Sequence, residues 1–494
     1  MAQPFLYLSI MLAYFAMLIA VSYFTSKDDS NENFFVAKRS SPWYLVAFGM
    51  IGASLSGVTF ISIPGVVGAG KVNQCFSYMQ MVWGYLIGYA IIANVLMPIY
   101  YRYQVSSIYE YLNSRLGKSA YKTGAAFFIL SRTVGSAFRM YIVALVMHQF
   151  IFSHFSVPFW ITVLISIFLI WVYTFRGGIK TIVITDVFQT TCMLLSLVIT
   201  IYFLSQQLNV SIVDYFNTVF SSEYGKIFFW DTGWTDSNYF FKQVLGGMLI
   251  ALVMTGLDQD MMQKNLTCRN LKEAQTNMFS FSMLLFVVNI AFLSLGAGLY
   301  IFMQQQGITV PAKSDQVFPF IAMNYLSSLG SILFLLGLTA SNYASADSAL
   351  ASLTTSFCID FLNYKNSPWD EAKKKRIRTI VHLIFSMIIF FVIVLFYLLN
   401  NDAVINKVFQ FAGYTYGPLL GIFCFAILTK KKISYPKLLP FICIAAPIIT
   451  YFLSENSQTW FGGFTFGNLI VAVNGLITFI GLLFIAKNQE VNVA

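Results

Sequence analysis

Hydroxyl and carboxylate side chains lie close together in one apolar stretch of the sequence, from Thr339 to Ser348. Ser341, Ser345 and Ser348 follow one another at intervals of four and three residues, so a helix would place them on one face. Asp347 is adjacent to that face. Hydroxyl and carboxylate oxygens are hard ligands that suit Na⁺ better than a transition metal. The alternative interpretation is a helix–helix contact of small residues, which produces a similar Ser/Ala pattern without an ion.

A second unusual stretch runs from Gly52 to Gly65 and combines glycines, hydroxyl residues and Pro64 inside an apolar run. These residues weaken a continuous helix. Backbone groups freed by an interruption inside a membrane must be satisfied by an ion, a substrate or neighbouring protein. A broken helix near the midplane is typical of transporter binding sites, and a proline kink in a packing helix is the alternative.

Four ionisable residues fall inside apolar runs, namely Arg132, Arg139, Asp186 and Asp347. An ionised group in hydrocarbon costs on the order of 3 kcal/mol on insertion scales. Two positive and two negative charges can balance one another. They indicate either salt bridges that only hold helices together or a path for an ion or a substrate.

The composition predicts a membrane protein. Of the 494 residues, 58% are apolar and 10% are charged, whereas a soluble domain carries about 25% charged residues. This excludes ordinary soluble enzymes, secreted disulfide scaffolds and disordered chains. The six cysteines and three histidines form no CxxC or Cys/His cluster, so we expect no transition metal. The sequence contains no phosphate-binding glycine motif, and we expect neither coupling to ATP nor a cofactor.

Thirteen apolar runs are long enough to cross a bilayer, which takes about 20 residues each. We therefore predict an all-α polytopic membrane protein with about 13 transmembrane helices. The runs are centred on residues 4–24, 43–69, 77–101, 121–151, 157–175, 178–205, 240–262, 276–303, 321–362, 379–399, 403–429, 434–453 and 463–486. The first run has no positively charged start and no cleavage site, so we interpret it as a retained span rather than a signal peptide.

Basic residues alternate between the two sides of this arrangement. The loops after the odd-numbered spans, together with the C-terminal tail, hold 23 of the 30 Lys and Arg residues, and the alternate loops hold five. Cytoplasmic loops carry the excess of Lys and Arg. We therefore expect a multi-pass protein of the cell (inner or plasma) membrane with its N-terminus outside and its C-terminus in the cytoplasm. The net charge of +10 is then a topology signal, and we expect no nucleic-acid partner.

Six short stretches, in this order along the chain, resemble the sodium/solute symporter family, which includes sodium/glucose, proline, pantothenate and sialic-acid transporters. They are residues 53–60 (ASLSGVTF), 109–112 (YEYL), 176–179 (RGGI), 185–189 (TDVFQ), 259–264 (QDMMQK) and 413–421 (GYTYGPLLG). The resemblance covers almost the whole chain. It implies a LeuT-type core of two inverted five-helix repeats.

The resemblance and the predicted spans together divide the chain into five parts. These are a peripheral first transmembrane helix at 1–30, a first five-helix repeat at 40–205, an extracytoplasmic loop at 206–239, a second five-helix repeat at 240–429, and two peripheral helices with a short tail at 430–494.

The resemblance also implies a sodium site between the second and the ninth predicted spans. The ligands carried over are the backbone carbonyls of Gly52, Leu55, Ser341 and Ala344 and the hydroxyl of Ser345. Some members bind a second cation, which here would lie between Asp186, Asp347 and Ser348. Asp347 stands where the family usually has Ser or Thr. Its carboxylate would either strengthen this cation site or bind a proton instead.

The substrate cavity of the family matches residues on several predicted spans. They are Ser54, Ser56, Thr59, Tyr78, Gln80, Arg132, Arg139, Met254, Thr255 and Asn406. In the sialic-acid branch an arginine holds the substrate carboxylate, and that position aligns with Gly135 here. Arg132 lies three residues before it and Arg139 four residues after it. A buried guanidinium forms two parallel hydrogen bonds with a carboxylate and so favours an anionic solute.

These features predict a Na⁺-coupled secondary active symporter that imports a small polar solute, such as a sugar, a sialic acid or a carboxylate, by alternating access. The expected partners are Na⁺, the solute and the lipid bilayer, with no obligate protein partner and no catalytic residues. A proton-coupled symporter of the same fold that uses Asp347 is the alternative. A channel, a sensor or a membrane-embedded enzyme is a more remote one, because we find neither a signalling domain nor a nucleophile–base pair.

Overall fold

The computed structural model describes residues 2–25, 30–69, 74–175, 177–399, 410 and 413–488. The α-helices of the first half are α1 (Ala2–Thr25), α2 (Asn31–Val36), α3 (Trp43–Val66), α4 (Tyr78–Ile91), α5 (Met97–Arg102), α6 (Glu110–Leu116), α7 (Lys118–Phe150), α8 (Phe159–Thr174), α9 (Gly178–Gln207) and α10 (Ile212–Ser221). A π-helical segment, Ile92–Leu96, joins α4 to α5, and short 3-10 turns span Ala37–Arg39, Phe152–Phe155 and Glu223–Gly225.

The second half continues with helices and one small pair of strands. Its α-helices are α11 (Phe240–Ala251), α12 (Gln259–Asn265), α13 (Leu271–Gln306), α14 (Val317–Asn324), α15 (Ser328–Ser356), α16 (Glu371–Leu399), α17 (Tyr416–Leu428), α18 (Leu439–Glu455), α19 (Ser457–Trp460) and α20 (Ile470–Phe484). π-Helical segments span Leu252–Gly256 and Phe357–Phe361, and 3-10 turns span Ser314–Gln316, Tyr364–Asn366 and Gly467–Leu469. The strands β1 (Lys432–Ile433) and β2 (Ala486–Lys487) pair antiparallel.

The helices confirm the coarser prediction of a predominantly helical protein with many apolar helices. Among the described residues, nine helices are long and apolar enough to cross a membrane. The segments Phe240–Gly256 and Gln259–Asn265 pass the same test as one pair bent by 70°. The shorter helices α8, α17 and α18 are also apolar. The predicted extracytoplasmic loop contains α10, and Tyr215 of this helix donates a hydrogen bond to the Ser294 carbonyl of α13.

Helix α15 lies at the centre of the fold. Every residue from Gly337 to Ser356 is buried, and α15 packs most extensively against α9 and also against α3 and α7. This stretch is rich in Ala, Ser and Thr, whose small side chains let neighbouring helices approach from all sides. The hydroxyl-rich segment identified in the sequence is therefore the buried core of the bundle.

Two glycines of α3 let it lie directly against polar residues of α9. A Cβ atom on Gly49 would lie 2.8 Å from the Asp186 Cβ, and one on Gly52 would lie 2.6 Å from the Thr190 Oγ1. Larger residues would separate the two helices. This close approach brings the polar side chains of α9 to the backbone of α3.

Both α3 and the α11–α12 pair are interrupted inside the apolar layer. The interruption in α3 lies at Ser56, with φ 48° and ψ 164°, within the stretch where the sequence predicts a broken helix. The second interruption lies at Leu257 and Asp258, between the π-helical end of α11 and the start of α12. Each break frees backbone groups that need partners.

The contact between α4 and α11 gives a test of this packing. A Cβ on Gly247 would lie 2.1 Å from the Met81 carbonyl oxygen, whereas Gly135 has no atom within 4 Å of such a Cβ. We expect Gly247→Ala to lower the free energy of unfolding by about 1–3 kcal/mol through overpacking. Gly135→Ala should leave it unchanged or raise it by up to about 1 kcal/mol. Thermal midpoints of the two purified variants in one detergent make the comparison, and equal midpoints would contradict this packing.

Candidate functional site

The carbonyl groups just before the break in α3 have no hydrogen-bond donor from another element within the described residues. In the part of the chain that the structure describes, no side chain and no backbone N–H outside helix α3 is hydrogen-bonded to the carbonyls of Gly52 to Leu55. The Gly52 N–H itself is paired with the Thr190 Oγ1, at 3.1 Å. The carbonyls of Gly52 and Leu55, which the family resemblance assigns to a sodium site, therefore face no donor from another element, and their role as ligands stays a prediction.

The break between α11 and α12 is satisfied by protein instead. Tyr100 donates a hydrogen bond to the Gly256 carbonyl at 2.8 Å, and Tyr109 donates one to the Leu257 carbonyl at 3.0 Å. The Asp258 Oδ1 accepts from the Asp260 N–H at 2.9 Å, which caps α12. At the break between α11 and α12, other elements thus supply donors to the Gly256 and Leu257 carbonyls, whereas within the described residues they supply none to the carbonyls just before Ser56.

The other predicted sodium ligands lie on α15, against this break. A Cβ on Gly57 would lie 3.1 Å from the Asn342 Cβ, so the chain just after Ser56 touches α15 beside Ser341, Ala344 and Ser345. The Ser341 hydroxyl donates to the Leu338 carbonyl at 3.0 Å, and the Ser348 hydroxyl donates to the Ala344 carbonyl at 3.1 Å. The Ala344 carbonyl thus accepts the Ser348 hydroxyl in addition to its place in the hydrogen-bond ladder of helix α15.

Three charged groups form a buried cluster where α9, α12 and α15 meet. The Lys264 Nζ lies 2.6 Å from the Asp186 Oδ2, and both side chains are 1% exposed. Asp347 interacts electrostatically with both and accepts a hydrogen bond from Tyr173 at 2.9 Å. The Oδ1 atoms of Asp186 and Asp347 are buried without a hydrogen-bond partner among the described residues. Two carboxylates and one ammonium leave this cluster one negative charge in excess when all are ionised.

Four further ionisable residues form a second buried cluster, which is formally neutral. Arg132 of α7 forms an ion pair with Asp260 of α12. Tyr416 donates a hydrogen bond to Asp258 at 2.9 Å, and Asp258 interacts electrostatically with Arg132 and Arg139. For Arg139 itself, the structure contains no hydrogen bond or ion pair within the residues it describes. Arg139 is therefore the cation of this cluster that can take up an added anion.

Both arginines line a cavity of about 430 Å³. Its other walls come from the π-helical end of α11, the segment before α17, the C-terminal end of α18 and the start of α20. The lining residues are Ser131, Arg132, Gly135, Arg139, Ile250, Val253, Met254, Gln410, Gly413, Tyr414, Tyr416, Ser454, Gly467, Asn468, Ile470 and Val471. This volume lies within the range of about 300–1,000 Å³ that small-molecule sites occupy.

Of the remaining predicted substrate residues, Ser54, Ser56, Thr59 and Thr255 lie near the two helix breaks. Tyr89 of α4, which the sequence reasoning missed, interacts with the side chains of Ser54 and Thr255 and so links the two broken helices. The Ser56 hydroxyl lies 3.4 Å from the Thr59 hydroxyl. These residues flank the two breaks.

Gln80 and Tyr78 serve other contacts. The Gln80 amide donates to the Asn238 carbonyl at 2.9 Å and accepts from the Phe229 N–H at 3.1 Å. Its amide thus holds the loop that contains Phe229 and Asn238. The Tyr78 hydroxyl lies 3.1 Å from that of Tyr85. Asn406, the last predicted substrate residue, lies outside the described residues.

The sequence reasoning misplaced one charge and missed two others. Counting loop charges assigns Lys264 to a cytoplasmic loop, but the bent helix continues to Asn265 and Lys264 is buried. Asp258 and Asp260 were not singled out, although both are fully buried. The segment 259–264 carries part of the family resemblance. Its other four residues are Met and Gln, so the charges of Asp260 and Lys264 stand out and could have indicated a buried pair of ionisable groups.

Comparison with known proteins places this site in a family. The model of the sodium:solute symporter family matches residues 34–435. The chain is 24% identical over 481 residues to the sodium/sialic acid symporter NanT of Aliivibrio fischeri, covering 94% of this chain and 91% of that protein. It is also 24% identical over 481 residues to the sodium/sialic acid symporter SiaT of Proteus mirabilis, covering 94% and 92%. The mouse sodium-coupled monocarboxylate transporter 1 is 24% identical over 412 residues, covering 81% of this chain and 64% of that protein.

A solved structure shows the same fold. A substrate-bound, outward-open Na⁺-coupled sialic acid symporter superposes with a TM-score of 0.82, over 98% of this chain and 99% of that one, at 18% identity. The chain belongs to the sodium:solute symporter family. It is a multi-pass membrane transporter that couples the import of a small solute to Na⁺.

The tyrosines at the second break give a test of how the site is held. We expect Tyr109→Phe to cost about 1–3 kcal/mol, because it leaves the buried Leu257 carbonyl without a donor. Tyr44→Phe is the matched control, since Tyr44 is exposed. Denaturation of both variants in the same detergent measures the difference, and a Tyr109→Phe variant as stable as the control would show that the bend does not depend on this hydrogen bond.

Proposed function

We propose that the solute is a small monoanion, of the sialic-acid or carboxylate class, and that Arg139 binds its carboxylate. The observation that carries this proposal is the cavity lined by Arg139, whose guanidinium has no ion pair within the described residues, while Arg132 is neutralised by Asp260. Relatives that transport sialic acids and monocarboxylates support the same class of solute.

Sodium binds at the break in α3 in this account. The proposed ligands are the carbonyls of Gly52, Leu55, Ser341 and Ala344 and the hydroxyl of Ser345. Within the described residues no other element supplies a donor to the carbonyls before Ser56, which supports this site, because a backbone group left unsatisfied in the membrane costs several kcal/mol. A cation there would hold the two halves of α3 and helix α15 in one arrangement.

A second cation binds between Asp186, Asp347 and Ser348 in the same proposal. Support comes from the free Oδ1 atoms of the two carboxylates and from the excess negative charge that Lys264 leaves uncompensated. A monoanionic solute adds one more negative charge to the interior, which favours two cations per solute. The alternative is a proton on Asp347, which would also make this cluster neutral.

The proposal also includes the number of membrane spans, their grouping into repeats and their orientation. Thirteen spans follow if the bent α11–α12 pair and the shorter helices α8, α17 and α18 each cross the membrane. The broken helices α3 and α11–α12 then open two inverted five-helix repeats, at 40–205 and 240–429, between the peripheral helix at 1–30 and those at 430–494, with the loop 206–239 outside. The alternation of basic residues supports an external N-terminus and a cytoplasmic C-terminus.

In this proposal, the binding of Na⁺ at the break in α3 and the binding of solute in the cavity are thermodynamically linked. Na⁺ favours the conformer in which α3 and α15 are held together, and that conformer presents the solute cavity. The solute must in turn raise the affinity for Na⁺ by the same factor that Na⁺ raises the affinity for the solute.

A thermal-shift screen of the purified protein tests the proposed solute class. Sialic acids, monocarboxylates, neutral sugars and amino acids are compared in NaCl and in choline chloride. A ligand at about 100 times its Kd adds about 2.7 kcal/mol of stability. We expect stabilisation by an anionic compound only in NaCl. Stabilisation by a neutral sugar alone would contradict the proposal, and a shift that is the same in choline would favour the proton-coupled alternative.

Replacement of each arginine separates their roles. We expect Arg139→Gln to raise the KM for the anionic solute at least 10-fold, because a hydrogen bond to a charged group contributes about 1.5–3 kcal/mol, while the protein stays folded. Arg132→Gln should instead lower stability by about 3–5 kcal/mol, since it leaves Asp260 buried and unpaired. Uptake kinetics in proteoliposomes, with size-exclusion profiles of each variant, distinguish the two. An unchanged KM in Arg139→Gln would remove Arg139 from the solute site.

Replacing one residue at each proposed cation site tests the two sites independently. We expect Ser345→Ala and Asp186→Ala each to raise the Na⁺ concentration that gives half-maximal uptake. Ser386→Ala is the matched control, because Ser386 is a buried serine of α16 whose hydroxyl donates to its own helix, at the His382 carbonyl. Wild-type Na⁺ activation in Asp186→Ala would contradict the second site, and wild-type activation in Ser345→Ala would contradict the first.

A further inference from the structure

A dense group of lysines lies where α17 ends and α18 begins. This lysine patch consists of Lys118, Lys430, Lys431, Lys432, Lys437 and Lys487. Lys118 starts α7, and Lys487 lies on β2, which pairs with β1 next to the loop between α17 and α18. Because α17, α18 and α20 are apolar helices that end here, the patch lies at the level where the apolar layer meets water.

The loop that carries most of these lysines is fixed on two sides. Arg115 donates hydrogen bonds to the carbonyls of Thr429 and Lys431, the latter at 3.3 Å, and the Ser119 hydroxyl donates to the Pro436 carbonyl at 2.5 Å. On the other side, the Ser434 N–H donates to the Ile485 carbonyl at 2.8 Å. The lysines therefore extend from a fixed platform, and the Arg115 guanidinium adds a further positive charge to it.

Within the described residues, acidic side chains do not balance this concentration of charge. Lys432 and Lys487 are direct partners in the β1–β2 ladder, and like charges in that position destabilise a strand pair. Within residues 413–488 Glu455 is the one acidic residue, and it lies at the opposite end of α18. Glu110 of α6 is paired with Lys365. None of the six lysines forms an ion pair within the described part of the chain.

Large apolar side chains flank the patch on the membrane side. Leu428, Phe441 and Phe484 are 74%, 69% and 83% exposed, and all three lie within about one helical turn of the lysine-bearing loop or strand. A surface with fixed cations at the interface and exposed apolar side chains below them matches the two parts of a phospholipid. An anionic headgroup fits it, because a neutral one would leave the lysine charges unbalanced.

We propose that the lysine patch binds the headgroup of an anionic phospholipid, whose acyl chains lie along α18 and α20. The other lysine run of the chain, at the start of α16, contrasts with it. There Lys374 lies 3.2 Å from Glu371, and the Asp370 side chain accepts the backbone N–H of Lys373, so two acidic residues lie beside this run. The lipid would neutralise Lys432 and Lys487 and fasten the C-terminal helices to the α6–α7 corner.

The full-length protein in neutral detergent, titrated with phosphatidylglycerol, tests this proposal without any knowledge of the solute. We expect phosphatidylglycerol to raise the thermal midpoint, and phosphatidylcholine to leave it unchanged. The Lys430→Gln, Lys431→Gln, Lys432→Gln triple variant should need on the order of 100-fold more phosphatidylglycerol for half-maximal stabilisation, since each lysine contributes about a 5-fold factor. The matched control is the Lys373→Gln, Lys374→Gln, Lys375→Gln variant, which should respond like wild type.

A single substitution keeps the test valid if the triple variant does not fold. Lys487→Gln removes one of the two like charges of the β1–β2 ladder. We expect it to raise the thermal midpoint in lipid-free detergent and to weaken the response to phosphatidylglycerol. Three results would overturn the proposal: equal shifts with phosphatidylcholine, an unchanged response in both patch variants, or an equal shift with inorganic phosphate at the same concentration.

Discussion

The need to satisfy backbone groups inside an apolar layer determines how this site is built. Two helices are interrupted there, at Ser56 in α3 and at Leu257 and Asp258 between α11 and α12. Side chains from neighbouring elements satisfy the second interruption. In the first, the carbonyls that precede Ser56 have no such partner. In our proposal, this asymmetry makes the second break a fixed support and the first one the place where an ion binds.

The two clusters of buried charged residues also differ from each other, because one is neutral and the other has an excess charge. The cluster around Arg132 and Asp260 is formally neutral and joins α7 to α12, so it can hold the wall of the cavity and still leave Arg139 for an anion. The cluster of Lys264, Asp186 and Asp347 has one negative charge in excess. It lies beside α3 because Gly49 packs directly against Asp186. A cation that binds near this cluster lowers the cost of its burial.

Much of this arrangement could be predicted from local patterns. The composition predicts the membrane architecture, and glycine, serine and proline in one run predict the break in α3. Lys264, Asp258 and Asp260 could not be placed in this way, because they lie in a bent helix whose second half is short and polar. Gln80 differs from its predicted role for another reason. The family resemblance assigns its amide to the solute cavity, but in the structure this amide forms hydrogen bonds with the loop at Phe229 and Asn238. Side-chain partners of this kind depend on distant segments, which spacing along one chain does not reveal.

The central claim is that Na⁺ occupies the carbonyls at the break of α3 and holds that helix against α15. Hydrogen–deuterium exchange of the reconstituted protein, in NaCl and in choline chloride without solute, tests it most directly. Slower exchange in Na⁺ at residues 52–60 and 341–348, with unchanged exchange at 256–265, is the result this account predicts. Equal exchange in the two salts at residues 52–60 would contradict it.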